Sequence, residues 1–428
     1  MEVEEERPSK VMARTYTGNS VLSTGNWYKI AVDKKGIFKV DYNLLQSLGI
    51  NPASVNPNNI RIYGNGGQVM PEAVTEGTPD DLVENAIEVH AGGSSFGQND
   101  YILFYANGPI QWTPAANGKD FQHKQNPYED KSYYFINVDL GTGKRVATAG
   151  QVPGAASTTI NKFDAYTVME QDTVNLGRIG KEWLGQRVSR NTPLELPFSL
   201  GNISDTVRYK ATFGGIVESG SIGVNLKVGS NNIGTASIGL TSGDYTYYRN
   251  GESNGAFMPG SASFNMGISY TAASVNASLY LDYVLLNYKR PLSFSSGQLS
   301  LRSFEQRAAV GTVVAFNLSN ANGNTRVWNV SNPLEPKLMT AQLSGSVLNF
   351  TDSGGVLGEY IAFDGSAYLS PAAIGKIDNQ DLHGMPQADY LIITNKDLLP
   401  AAENLATIHR DKFGRTVNVA TVEKIYNE

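Results

Sequence analysis

The stretch DYLIITNKDLLPAAENLATIHRDKFGRTVNVATV, residues 389–422, differs in pattern from everything that precedes it. DYLIITN (389–395) is a continuous apolar run, the signature of a strand covered on both faces in a parallel sheet. Pro400 suits the first turn of a helix, Leu405, Ile408 and Phe413 are expected to point inward, and Gly414 supplies the stop. TVNVATV (416–422) then reads as a second strand, which completes a βαβ unit with a right-handed crossover. EKIYNE (423–428) opens another helix, so the expectation is a chain that continues and completes a larger α/β sheet. One helix covers one face of two strands. Leu391 and Ile393 point away from Ile392, so one apolar row is expected to stay bare, to lean on the preceding region, or to mark a mobile tail.

Outward from this unit the pattern is β throughout. DNQDLHG (378–384) reads as a linker, and RVWNV (326–330) and EYIAFD (359–364) are the clearest strands of a small β region. DYVLLNYKR (282–290) ends a series of short alternating strands that includes 206–213, 221–228, 262–270 and 278–288, the pattern of a β-sandwich or jelly roll. Nearer the start, NIRIYG (59–64), DYILFYANG (100–108) and SYYFINV (132–138) alternate with Gly, Pro and Asn clusters. WYKIAV (27–32) and IFKV (37–40), joined by DKKG, predict a hairpin, and Asp41 predicts the N-cap of a short helix ended by Gly49.

The expected fold class is therefore mainly β: tandem sandwich- or jelly-roll-like domains followed by a first βαβ unit. At about 150 residues per domain, 428 residues hold roughly three. The division expected is 1–26 as an acidic, flexible N-terminus, 27–150 as a β domain with one short helix, 151–290 as the sandwich, 291–385 as a small β domain with linker, and 386–428 as the α/β start.

A charged fraction of 17%, with 44 Gly and 22 Tyr, supports strands and turns over helices and an extracytoplasmic setting. The net charge of -6 provides no basic face, which argues against nucleic acid and anionic membrane as partners. Zero Cys removes disulfides, thiolate metal sites and any Cys nucleophile. MEVEEERPSK (1–10) lacks the basic and apolar segments of a secretory leader, so for an exported protein Met1 is expected to replace a removed signal.

Motifs that invite chemistry mostly have plainer explanations. Gly93, Ser94, Ser95, Phe96 and Gly97 fit G-x-S-x-G, yet a strand rather than a helix follows, so Ser95 is expected in a Gly-rich turn. Gly64, Asn65, Gly66 and Gly67 lack the Lys-Ser or Lys-Thr of a phosphate loop and read as a hairpin turn. His90, His123, His383 and His409 have no metal-ligand spacing, and 378–384 lacks the alternating carboxylates of a calcium loop. Trp27, Trp112, Trp183 and Trp328 are read as packing residues before sugar platforms. No catalytic, cofactor-binding or metal-binding residue is assigned, and no cofactor is expected.

ADYLIITNKDLLPAAENLATIHRDKFGRTVNVATVEKIYNE (388–428) closely resembles the opening of a gingipain-type (C25) cysteine peptidase domain. NDYILFYANGP (99–109), NPYEDKSYYF (126–135), EWLGQ (182–186), LDYVLLNYKRPLSF (281–294) and VWNVSNPLEPK (327–337) are similar to the long N-terminal region of the sortases of the Bacteroidetes type IX secretion system, from about Trp27 onward. The resemblance implies an exported enzyme associated with the outer membrane at the cell surface. Such an enzyme removes the C-terminal signal domain of secreted cargo and joins the new terminus to anionic lipopolysaccharide by acyl transfer. Its nucleophile would be a Cys paired with a His at strand ends of a caspase-like domain. Neither maps onto this chain, because His383-Gly384 precedes the first strand of the unit, and the chain is expected to be inactive. The implied partners are an outer-membrane β-barrel shuttle or attachment-complex protein, signal-bearing cargo and anionic lipopolysaccharide. The competing reading is a free-standing adhesion or glycan-binding β protein.

Overall fold

The computed structural model describes residues 16–67, 69–71, 79–178, 180–203, 205–241, 243 and 246–428. The structure is 44% strand and 11% helix, the mainly β class expected from the sequence. The acidic start lies largely outside the described residues. From Ser20 onward the chain is anchored, where the expectation was flexibility through residue 26. Leu22 is fully buried, Ser20 N donates to Asp381 (2.8 Å), and Val21 N donates to Asp81 (2.6 Å).

The expected hairpin at 27–40 does not form. Trp27–Val32 lies between Ala372–Ile377 and Ser132–Asn137 in a five-stranded sheet completed by Arg61–Tyr63 and Glu84–Asn85. Gly36–Asp41 pairs instead with Tyr101–Ala106, which also pairs with Glu88–His90. The two sheets share a core in which Tyr28, Ile30 and Val32 meet Phe38, Val40, Ile102 and Phe104. The physical reason is that Gly36–Asp41 has buried apolar side chains on both faces, Phe38 and Val40 on one and Ile37 on the other. Ile37 packs the opposite way, with Leu103, Tyr105, Trp328 and Ile361. A two-stranded hairpin with a solvated face would expose one of those rows, so DKKG carries the chain between layers. Asp41 caps the helix Tyr42–Ser47 as expected, accepting from Leu44 N at 3.0 Å.

The sandwich follows the expected strands. One sheet runs Lys162–Glu170, Ser278–Pro291, Val207–Ile216, Arg249–Phe257, and the other Leu194–Ser199, Ser263–Ala272, Ile222–Val228, Asn231–Ile238. Alternation sets the faces: Ile222, Val224 and Leu226 are buried while Gly223 and Asn225 are only partly covered.

Strand pairing crosses the division drawn from sequence. Ala147–Thr148 pairs with Lys337–Leu338, Ala156–Ile160 pairs with Val313–Leu318, and Ala372–Ile377 pairs with Trp27–Val32. One core joins Phe213, Val224 and Leu286 of the sandwich to Phe316, Phe350 and Tyr360 of the following region. Arg326 adds a polar tie to Glu88 at 2.5 Å, with Glu88 also contacting His90. The three β regions are thus one continuous packed body, with Trp27 and Trp328 among its largest fully buried side chains.

Candidate functional site

The segment after residue 385 exposes several large apolar side chains, and its local structure follows from its sequence. Tyr390–Thr394 and Val417–Thr421 form a parallel pair with Tyr390 opposite Val417 and Thr394 opposite Thr421. Asp389 clasps the other strand at its entry: its carboxylate accepts from Thr416 N and Oγ1, both at 2.9 Å. Those two bonds hold the Asp389 carboxyl below its usual range. Between the strands, Asn395 accepts from Asp397 N to start a 3₁₀ turn, and the helix Leu399–Phe413 follows with Pro400 in its first turn. Gly414 ends it at φ 60°, a left-handed conformation that suits glycine. Thr421 then caps the short helix Val422–Asn427.

The helix buries a different face from the one expected. Ala402 and Ala406 are the buried residues, whereas Leu405 is 43% exposed, Ile408 44% and Phe413 63%. Ala402 and Ala406 are one helical turn apart, and their small side chains permit close approach to the strands. The helix therefore seats on its alanine row, with the longer side chains flanking it, and Tyr390 stacks on His409 with ring centroids 4.5 Å apart. The expected bare row is present: Leu391 and Ile393 are each 57% exposed. Leu398, Ile425 and Tyr426 add to the exposed apolar surface of this unit.

The unit is held to the body by a polar seam. Glu428 accepts from Leu382 N (2.9 Å), Gln380 Nε2 (3.0 Å) and His383 Nδ1 (2.9 Å), while His383 Nε2 donates to the Asp80 carbonyl (3.0 Å). Burial opposes the charged imidazole, but Glu428, the Asp80 carbonyl and the charges of Asp80 and Asp81 outweigh it, so the His383 pKa is raised. Asn427 Nδ2 donates to Gln380 Oε1 (3.1 Å), and Lys29 Nζ donates to Asn427 Oδ1 (2.8 Å). Residues 378–384, read as a linker, thus provide half of this seam.

The other singled-out residues stay apart. Ser95 sits in an exposed loop organised by Asp100, whose carboxylate accepts from Gly97 N (2.7 Å) and Gly92 N (3.2 Å), while Phe96 is buried. Gly66 and Gly67 form a turn with positive φ, but the pairing that flanks it is Tyr63 with Glu84, about twenty residues apart, so it is not the tight hairpin turn expected. A Cβ at Gly67 would approach the Gly108 backbone to 3.1 Å, which accounts for the glycine. His90 pairs with Glu88, His123 with Glu170, and His409 lies against Tyr390. Among the described residues no group of three or more His, Cys, Asp or Glu is placed to hold a metal ion. Trp27 and Trp328 are core residues, Trp112 stacks on Tyr166, and Trp183 is partly exposed.

Sequence reasoning missed a buried ionic cluster. Arg302, in the interior, contacts Glu359, which also binds Lys35. The three residues are far apart in sequence and carry no spacing signal. The hint was Glu359 directly before the wholly buried strand Tyr360–Phe363.

No protein of curated function matches the chain in sequence. Residues 383–428 match the sequence model of Peptidase family C25. Among solved structures, dimeric latent PorU from Porphyromonas gingivalis superposes with a TM-score of 0.83 and 22% identity, over 96% of this chain and 38% of that one. BuGH86E322Q in complex with neoagarooctaose (TM-score 0.20, 8% identity, 61% of this chain and 32% of that one) is similar only at a level that carries no argument. The chain spans under two fifths of the PorU chain it matches. It therefore has the fold of that part of PorU, and its residues 383–428 are similar to the matching segment of Peptidase family C25.

Proposed function

We propose that this chain is the non-catalytic front portion of a PorU-like sortase of a type IX secretion system. The whole enzyme would be exported and held at the cell surface in association with the outer membrane. It would remove C-terminal signal domains from cargo and transfer the acyl group to anionic lipopolysaccharide through a Cys nucleophile and a His that this chain does not contain. The observation carrying this reading is that the PorU fold extends along 96% of the chain and runs into the segment matched by Peptidase family C25. In this role the β body seats the start of the peptidase sheet through the seam at Gln380, His383 and Glu428, and the row Leu391–Ile393 is where further elements of that sheet complete its cover. The body would also dock an outer-membrane β-barrel partner.

Deleting residues 27–385 from the gene in its host tests the reading. Secreted cargo should then keep its signal domain and fail to acquire lipopolysaccharide, and normal cargo maturation would overturn the proposal. The purified chain mixed with signal-bearing cargo should leave the cargo mass unchanged. Immobilised chain should retain the barrel partner, and failure to do so when the full-length enzyme retains it would reject the docking role.

A further inference from the structure

A cavity of about 170 Å³ lies where three stretches of chain meet, walled by Lys35, Tyr105, Trp112, Tyr166, Ser331 and Glu359 among others. That is room for several waters. Trp112 stacks on Tyr166 with centroids 3.8 Å apart and planes within 18°. The Arg302 guanidinium lies over the same Tyr166 ring, 4.5 Å from its centroid. Arg302 Nε donates to both Glu359 oxygens at 2.9 and 3.0 Å, and Lys35 Nζ lies 3.0 Å from Glu359 Oε2.

Two cations share one carboxylate, so the cluster carries one unbalanced positive charge. Arg302 is 2% exposed and its Nη2 has no partner, nor has the Tyr166 hydroxyl. Burying a charge without compensation, or a donor without an acceptor, is costly, and a monoanion at this wall would relieve both. The aromatic walls suit a planar group with a small body, and a single charge matches a carboxylate better than a phosphate dianion.

We propose that this cavity is a carboxylate-binding site, filled by a small organic acid or by the free C-terminus of a peptide, with Lys35 and Tyr166 as its recognition groups and Arg302, behind Tyr166 and Glu359, as the source of the excess positive charge. The site does not depend on the peptidase reading. It is tested on the full chain by titrating acetate, benzoate, phosphate, and triglycine with a free or an amidated C-terminus, at ionic strength held constant with chloride. The readouts are thermal stability and the fluorescence of Trp112, isolated by subtracting Trp112→Phe.

A saturable response to at least one carboxylate is expected, weakened at least tenfold in Lys35→Met. Tyr166→Phe should weaken it several-fold while leaving the fold intact, since the lost hydroxyl has no partner, which keeps the test valid if Lys35→Met fails to fold. Benzoate or acetate binding without triglycine assigns the site to small acids, and triglycine binding without its amide assigns it to peptide termini. No response beyond chloride, a response unchanged in both variants, or phosphate binding as tightly as every carboxylate would each overturn the proposal.

Discussion

Replacing Glu359 by Gln should destabilise the body more than any other single isosteric change in the ionic cluster. Glu359 receives Arg302 Nε through both oxygens and Lys35 Nζ at 3.0 Å, and its side chain is 24% exposed against 3% for Arg302. Burial works against the ionised carboxyl, but Arg302 and Lys35 outweigh it and hold its pKa low, so the removed group is a charge at neutral pH. At an effective dielectric of about 20, a unit pair some 4 Å apart is worth ~4 kcal/mol, so two attractions are lost. Relief of the carboxylate's own desolvation, and the freedom of Lys35 to swing toward solvent, return part of that. The net expectation is about 3–5 kcal/mol, the usual cost of stranding a buried charge. Lys35→Met leaves a neutral Arg302–Glu359 pair and should cost no more than ~1–2 kcal/mol. Urea unfolding of the three proteins at pH 7 gives both values. Equal losses, or a larger loss for Lys35→Met, would show that Arg302 does not depend on Glu359 and refute the reasoning.

Burial, reinforced by Glu170 and Asp172 and opposed by the Thr212 hydroxyl, pushes the Asp282 pKa up to about 6. A raised carboxyl pKa means the folded state resists ionisation, so this group costs no stability below about pH 4 and increasingly more as pH rises to about 6. Asp282→Asn should therefore gain on the order of 1 kcal/mol at pH 7 and little at pH 4, after discounting for partial exposure, and a gain independent of pH would contradict this. For His383 the sign is opposite: its raised pKa contributes stability that is complete below about pH 6.5 and lost as pH climbs through the folded value. Amide exchange in 378–384 and 422–428 should accelerate between pH 6 and 8 beyond the intrinsic rate, and His383→Gln should remove that extra dependence. Ala406 is fully buried beneath the helix Leu399–Phe413, so Ala406→Leu should cost ~1–3 kcal/mol by overpacking, while Leu405→Ala should cost under ~1 kcal/mol. The reverse ranking would restore the inward stripe read from the sequence.

Local signals were read well where one residue fixes one turn of chain. Asp41, Pro400 and Gly414 each do in the structure what their chemistry dictates. Errors arose where a tertiary partner chose between two local solutions. WYKIAV and IFKV look like hairpin arms, but apolar residues on both faces of the second arm need two neighbouring layers, and those layers come from residues 27–137 and 326–363. Leu405 and Ile408 look like a core stripe, yet the alanine pair on a neighbouring face permits closer contact with the strands. The ionic cluster was illegible because burial of Arg302 is decided by residues more than fifty positions away.

The two ends of this molecule are held together by different forces. The β body is sealed by apolar layers, and its core runs without a break from the sandwich into the region around Phe316 and Phe350. The βαβ unit is joined to it mainly by hydrogen bonds, through Gln380, Leu382, His383 and Lys29, and keeps Leu391 and Ile393 in solvent. An apolar seam would fix the unit by area alone, at roughly 25 cal/mol per Å², and would leave little face for anything else to pack on. A polar seam of defined donors and acceptors fixes orientation instead and leaves the apolar row available, which is the arrangement required if the sheet is to be extended by further strands and covered by further helices.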